Sequence, residues 1–368
     1  MTYERVAVVS SAQTELRTAW SGAQHIDLIS AVVAQVFKGT GLTLDDVDFV
    51  IDSGSDVLDG RSISNCGFLG AMGAHHKEES RIEEDGLWAA HYGATKIASG
   101  AAKVGLIIAY SKPSEAEVDK FYSSQVEPFL QRPVGFDHAA ACGLQAQAWM
   151  ADSGTTGDDL AALTVRRWAD AAKHGRVQVD SLPDADAVRA APMAAAPLSE
   201  LMMARPVDGA VAVLIASSDI ARRSCQRPVW ITGTGTSADR HAFASRSRGK
   251  LDACVAASEM ARKNAGQKGS RVDVAEVSGA SAAAELMVLE ATVVAAPAEA
   301  IHGDTAINLS GGTLPADLIM ASGLVRLAEA SRQLAWPEEY GLGSPQRALA
   351  HGAGGVGMQT HCVMMLEV

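Results

Sequence analysis

Cysteine is scarce and scattered in this 368-residue chain: Cys66, Cys142, Cys225, Cys254 and Cys362, with no CxxC spacing. An odd, dispersed set reads as reduced, buried thiols of a cytosolic protein, not as a disulfide framework or a zinc site, and no metal site is expected. Basic charge is short as well. The chain holds 31 Lys and Arg against 43 Asp and Glu, a net charge of −12. Backbone phosphates would be repelled, so a nucleic-acid partner is not expected. No apolar run reaches the ~20 residues that a membrane span requires. The stretch MTYERVAVVSS lacks the apolar core of a signal peptide, so the expected compartment is the cytoplasm. GxSxG, Walker and HExxH motifs are all missing. HHKEE (75–79) has ligand residue types, but adjacent histidines point apart, so surface solvation is expected there and no metal site.

What is present is a large reserve for a core: 48% hydrophobic residues against 20% charged. Short apolar runs alternate with helical periodicity. RVAVVSS (5–11) reads as a strand, HIDLISAVVAQVFKGTG (25–41) as a helix closed by glycine, and VDFVIDSGSD (47–56) as the next strand. EDGLWAAHYGATKIASG (84–100) reads as a second helix and KVGLIIAYS (103–111) as the strand after it. This order predicts βαβ units and a mainly parallel sheet. Residues 112–200 break the pattern with proline, acidic clusters and helices such as LAALTVRRWADAAKHG (160–175), as an inserted helical subdomain would. VAVLIAS (211–217) then resumes a buried strand.

The second half repeats the first. RVAVVSSAQTEL pairs with PVWITGTGTSAD (228–239), and DDVDFVIDSGSD (45–56) with SRVDVAEVSGAS (270–281). KVGLIIAYS pairs with the terminal GMQTHCVMMLEV (357–368). The spacings predict a duplicated βα unit, residues 1–225 and 226–368, folded as a five-layer α/β/α/β/α sandwich.

Four local features bear on function. GTGTSA (233–238) lacks the third glycine of a dinucleotide fingerprint and suits a tight strand exit. HGAGGVG (351–357) leads into a strand, so its glycines suit close backbone approach better than phosphate binding. Basic clusters at 166–176 and 240–250 suit solvent exposure or the phosphates of a ligand. The helix after residue 85 is preceded by Glu83, Glu84 and Asp85. Acidic residues cap helix N-termini as a matter of course; a carboxylate there also suits an altered active site.

Several of these stretches together resemble the thiolase superfamily, in its sterol-carrier-protein-x or lipid-transfer-protein branch. Residues 84–112 resemble the nucleophile helix and following strand. AAPMAAAPLSELMMARPVDGAVAVLIAS (190–217) is similar to the segment closing the N-terminal half. VAEVSGASAAAELMVLEA (274–291), INLSGGTLPADLIMASGLVRL (307–327) and ALAHGAGGVGMQTHCVMMLE (348–367) resemble the C-terminal catalytic segments. The resemblance places Glu83 where the nucleophilic cysteine belongs, Ser278 and Asp317 where histidines belong, and His351 at the second catalytic position. Asn308 and the glycines Gly311, Gly312, Gly354 and Gly355 are kept.

A carboxylate cannot stand in for the thiolate as a resting acyl carrier, so ordinary thiolysis and Claisen chemistry are not expected. The resemblance implies one of two readings. The first is a repurposed enzyme that cleaves or forms C–C bonds in acyl-CoA esters by retro-aldol chemistry, as in lipid or steroid side-chain degradation. In it His351 and Glu83 serve as acid/base groups, Asn308 shapes the pocket, and Tyr340 is an outside proton donor. The second is a catalytically silent subunit of a heteromeric acyltransferase, thiolase or lipid-transfer complex. Either implies coenzyme A as part of the substrate and no covalent cofactor. The expected partners are a second copy or a zinc-ribbon/OB-fold protein, with VGLIIAYS (104–111) as the edge strand for association.

Overall fold

The computed structural model describes residues 3–268 and 271–368. Among the described residues, twelve strands run in chain order. The first seven are β1 (Val6–Gln13), β2 (Phe49–Ser53), β3 (Glu78–Ile82), β4 (Val104–Ser111), β5 (Met193–Ala195), β6 (Leu198–Ser199) and β7 (Gly209–Ser217). The rest are β8 (Val229–Ala238), β9 (Val274–Val277), β10 (Ala306–Ile307), β11 (Arg347–Gly354) and β12 (Thr360–Glu367). β5 and β6 form a small hairpin, and the others make one ten-stranded sheet.

The duplication is explicit in the pairing. In the first half β3, β2 and β4 are parallel, and β7 and then β1 follow antiparallel. In the second half β10, β9 and β11 are parallel, and β12 and then β8 follow antiparallel. The halves meet edge to edge through three residue pairs, Val6–Val8 of β1 against Val229–Ile231 of β8. Topology therefore matches β1 with β8 and β2 with β9, as the sequence suggests. It corrects the third match: β4 corresponds to β11, and β12 to β7.

Each half buries one sheet face under its own helices and the other against a shared layer. The helix His25–Val36 turns Leu28, Ile29, Val32, Val33 and Val36 inward at helical spacing and covers β1, β4 and β7. Helices Asp252–Asn264 and Ala282–Ala291 cover the outer face of the second half. Between the halves lie Gly86–Ala98, which packs on β2, β4, β7, β11 and β12, and Ser322–Ala335, which packs on β1, β7, β9 and β11. The two helices also touch each other. These are the five layers.

The stretch 104–111, expected to be an association edge, is interior: β4 lies between β2 and β7 and all eight of its residues are buried. A strand buried on both faces reads as a continuous apolar run, which is what was mistaken for an exposed edge. The edges of the sheet are β3 and β10. Between β4 and β7 the chain adds helices Val118–Gln125, His138–Ser153, Gly157–Ala172 and Ala185–Ala190. Among the described residues no helix is long and apolar enough to cross a membrane.

Candidate active site

The two central helices begin at the same place, and one side chain serves both. Asp85 is the N-cap of Gly86–Ala98, where its Oδ1 accepts from Leu87 N at 2.9 Å. Its Oδ2 accepts from Gly323 N, in the first turn of Ser322–Ala335, at 2.7 Å. Asp85 is only 2% exposed. Burial outweighs the two N–H donors and pushes its carboxyl up to about 8. Its fit depends on glycine across the layer. A Cβ at Gly352 would stand 2.3 Å from Asp85 Oδ1, and one at Gly323 would stand 1.9 Å away. The glycines of HGAGGVG thus serve close backbone approach, with a carboxyl as the approaching group.

Beside Asp85 a cavity of about 430 Å³ opens, a size suited to a small ligand or part of a larger one. Its walls include Glu84 and Asp85, Ser278 at the end of β9, Asp317 and Ser322, the β11–β12 turn, and Tyr122 and His138 from the inserted segment. The Glu84 carboxylate accepts from the Thr360 hydroxyl, and burial raises its proton affinity. Asp317 accepts from Ser322 Oγ at 2.7 Å and Ile319 N at 3.0 Å, and burial raises it too. The His138 ring stacks on Tyr122 with centroids 3.9 Å apart, and burial lowers it to about 4, so it is a neutral imidazole. The Ser278 hydroxyl is buried without a hydrogen-bond partner.

The cavity gathers only part of the expected site. Ser278 and Asp317 line it. Glu83 reaches only its rim: the side chain is 51% exposed and its carboxylate is held by Arg81 Nε at 3.3 Å and Asp56 N at 3.0 Å. The carboxyls at the helix mouth are Asp85 and Glu84, one and two residues further on. His351 is displaced by strand alternation. Ala348 and Ala350 of β11 face the central helices, so His351 points to the opposite face, fully buried and outside the cavity wall. Burial and the neighbouring His361 hold it well below the usual histidine range, and it shares no cavity wall with Glu83. Asn308 braces β9 instead of lining the cavity: its Oδ1 accepts from Val277 N at 2.7 Å. Tyr340 lies in a separate ion network, donating to Glu329 at 3.1 Å and accepting from Arg176.

A thiol does approach the helix start. Cys362 Sγ donates to Leu87 O at 3.8 Å, but burial together with Asp85 and Glu84 keeps it protonated. It lies behind the helix, not on the cavity wall. His138 and Tyr122 were missed by sequence reasoning because the inserted segment carries them in from outside the duplicated unit.

The basic clusters separate in the same way. In 166–176, Arg167 pairs with Glu285 at 2.6 Å, Arg176 with Glu329 at 2.7 Å, and Lys173 with Asp170 at 2.6 Å. That cluster is internal structure. In 240–250, Arg240, His241, Arg248 and Lys250 are exposed, and His241 lines the cavity.

Comparison with known proteins agrees with this architecture. Residues 235–367 match the family model described as thiolase C-terminal domain-like. The fold is thiolase-like. A solved structure described as an Ltp2-ChsH2(DUF35) aldolase superposes with a TM-score of 0.83 at 19% identity, covering 100% of this chain and 99% of the other. A monomeric SCP2-thiolase-like protein type 1 (STLP1) from Mycobacterium smegmatis superposes with a TM-score of 0.76 at 17% identity, covering 98% and 77%. No curated protein sequence matches. The thiolase-like scaffold is therefore whole, while the helix mouth that the resemblance assigns to a nucleophilic cysteine presents carboxyls.

Proposed function

We propose that this thiolase-like protein is an acid–base lyase that breaks a C–C bond in acyl-CoA esters by retro-aldol chemistry. The observation that carries the reading is that two carboxyls, Glu84 and Asp85, stand where two helix N-termini meet a cavity. Retro-aldol cleavage needs a base for the β-hydroxyl proton and donors for the thioester enolate, and no covalent intermediate. Glu84 lines the cavity with a raised proton affinity, which suits it to take that proton. As the Cα–Cβ bond breaks, its electron pair passes to the thioester carbonyl, and the β-carbon leaves as an aldehyde or ketone. The enolate then regains a proton at Cα. Ser278, with its unpartnered buried hydroxyl, is the donor placed to hold the enolate oxygen. The exposed 240–250 stretch at the cavity offers the cationic surface for CoA phosphates.

A catalytically silent subunit is the second reading. It is favoured by Asp85, whose two oxygens are both committed to helix capping. In either reading the protein works with a partner. The structural neighbour described with ChsH2(DUF35) supports a partner subunit of that kind, and the edge strand β3 offers a place for a second copy.

The test incubates the purified protein, alone and with any co-purifying partner, with β-hydroxyacyl-CoA esters and measures aldehyde or ketone release. Release that falls at least tenfold in Glu84→Gln and Ser278→Ala supports the lyase. Ester binding without turnover, with or without the partner, supports the silent subunit. Thiol-dependent cleavage of a β-ketoacyl-CoA would overturn both.

A further inference from the structure

On the far face of β11, three buried side chains that no step of the proposed reaction uses converge in the core. His351 of β11 and His361 of β12 lie on neighbouring strands, and His351 Nε2 stands 3.0 Å from His361 Nδ1. Cys254, near the start of the covering helix Asp252–Asn264, closes the group. One ligating atom from each residue lies within 4.8 Å of the other two, and all three residues are buried. Two nitrogens bound about 2.05 Å from one tetrahedral ion lie roughly 3.3 Å apart. The histidine pair is therefore close to the spacing of two ligands on a single metal.

The hydrogen bonding of the pair is incomplete without an ion. The facing nitrogens, His351 Nε2 and His361 Nδ1, can share one proton, so one donates and the other accepts. His351 Nδ1 is buried and makes no hydrogen bond, which is costly. An ion between Nε2 and Nδ1 would replace the shared proton and give both facing nitrogens a ligand.

We propose that Cys254, His351 and His361 form a binding site for a thiophilic d10 metal ion, Cu+ or Zn2+. One thiolate and two imidazoles are the donor set for such ions. With Cu+ the three-ligand site is electrically neutral, which suits a buried location, whereas Zn2+ leaves a net charge and calls for a fourth ligand. The bound ion ties the β11–β12 pair to its covering helix. Ser278 N donates to His351 O at 3.2 Å, and Ser278 and Met358 line the cavity, so the site braces the cavity wall from behind.

The test loads the full-length protein with Zn2+, and separately with Cu+ under anaerobic reduction. It then measures retained metal after dialysis and the first coordination shell by X-ray absorption. One equivalent of either ion, with one sulfur and two imidazole nitrogens in its shell, is expected; the ion retained identifies the metal. Cys254→Ser and His361→Gln should lose that equivalent, and Cys225→Ser should keep it. If a ligand variant does not fold, the shell measured on the unaltered protein decides the matter. No retained equivalent, a shell without sulfur, or unchanged retention in a folded Cys254→Ser protein would overturn the proposal.

Discussion

Asp85 should make the protein's stability depend on pH in a way that a single substitution removes. Its carboxyl is raised to about 8 in the fold, against about 3.9 in an unfolded chain. Between those values the unfolded chain has given up a proton that the folded protein keeps, so stability falls as pH rises, and levels off above the folded value. The slope is about 1.36 kcal/mol per pH unit. From pH 5.5 to 7.5 the loss is therefore roughly 2–3 kcal/mol. Other buried groups titrate in the same range: Asp52 is raised to about 7, whereas His361 is lowered to about 4. The signal is thus the difference between the unaltered protein and Asp85→Asn, whose side chain does not titrate. Urea unfolding at pH 5.5, 6.5 and 7.5 should show that difference shifting by roughly 2–3 kcal/mol against the unaltered protein. A difference that stays flat would mean Asp85 is an anion throughout, held by the two helix N-termini, and would refute the claim that burial wins.

Four further outcomes follow from the geometry. Gly352→Ala should destabilise by about 1–3 kcal/mol, because its Cβ would meet Asp85 Oδ1 at 2.3 Å. Gly343→Ala, with nothing within 4 Å, should change the thermal midpoint little. Glu276→Leu should cost about 3–5 kcal/mol in urea unfolding, since it strands the buried Arg326 cation now paired at 2.8 Å. Native-state alkylation followed by mass spectrometry should modify Cys66 first and the half-buried Cys225 slowly. Cys142, Cys254 and Cys362, buried in the core, should react only after unfolding.

The scaffold was legible wherever burial is two-sided. β4 and β7 are unbroken apolar runs, and β1, β2, β8 and β9 repeat in register across the halves. β3, with the sequence EESRI, and the two-residue β10 were not legible, because neither carries an apolar period. The error over β12 has the same origin as the error over β4: an apolar run records burial but not which neighbours supply it. At the site, the positions of Ser278 and Asp317 on the cavity wall were legible because each follows a readable strand or precedes a readable helix. Choosing among Glu83, Glu84 and Asp85 was beyond local sequence. The choice is made by Gly323 and Gly352, more than two hundred residues away, which leave room for one carboxyl. His351 lies off the cavity wall through strand alternation alone, since a one-residue change of face separates that wall from the outer core.

The acid shared by two helix starts has a consequence for the repeat itself. The second copy of the duplicated unit does not finish its central helix alone: it borrows its end group from the first, across a seam three residue pairs long. Expressed as a separate fragment, the second copy should remain incomplete at that turn until mixed with the first. The ancient doubling has in this way become irreversible, welded at the spot where the cavity opens.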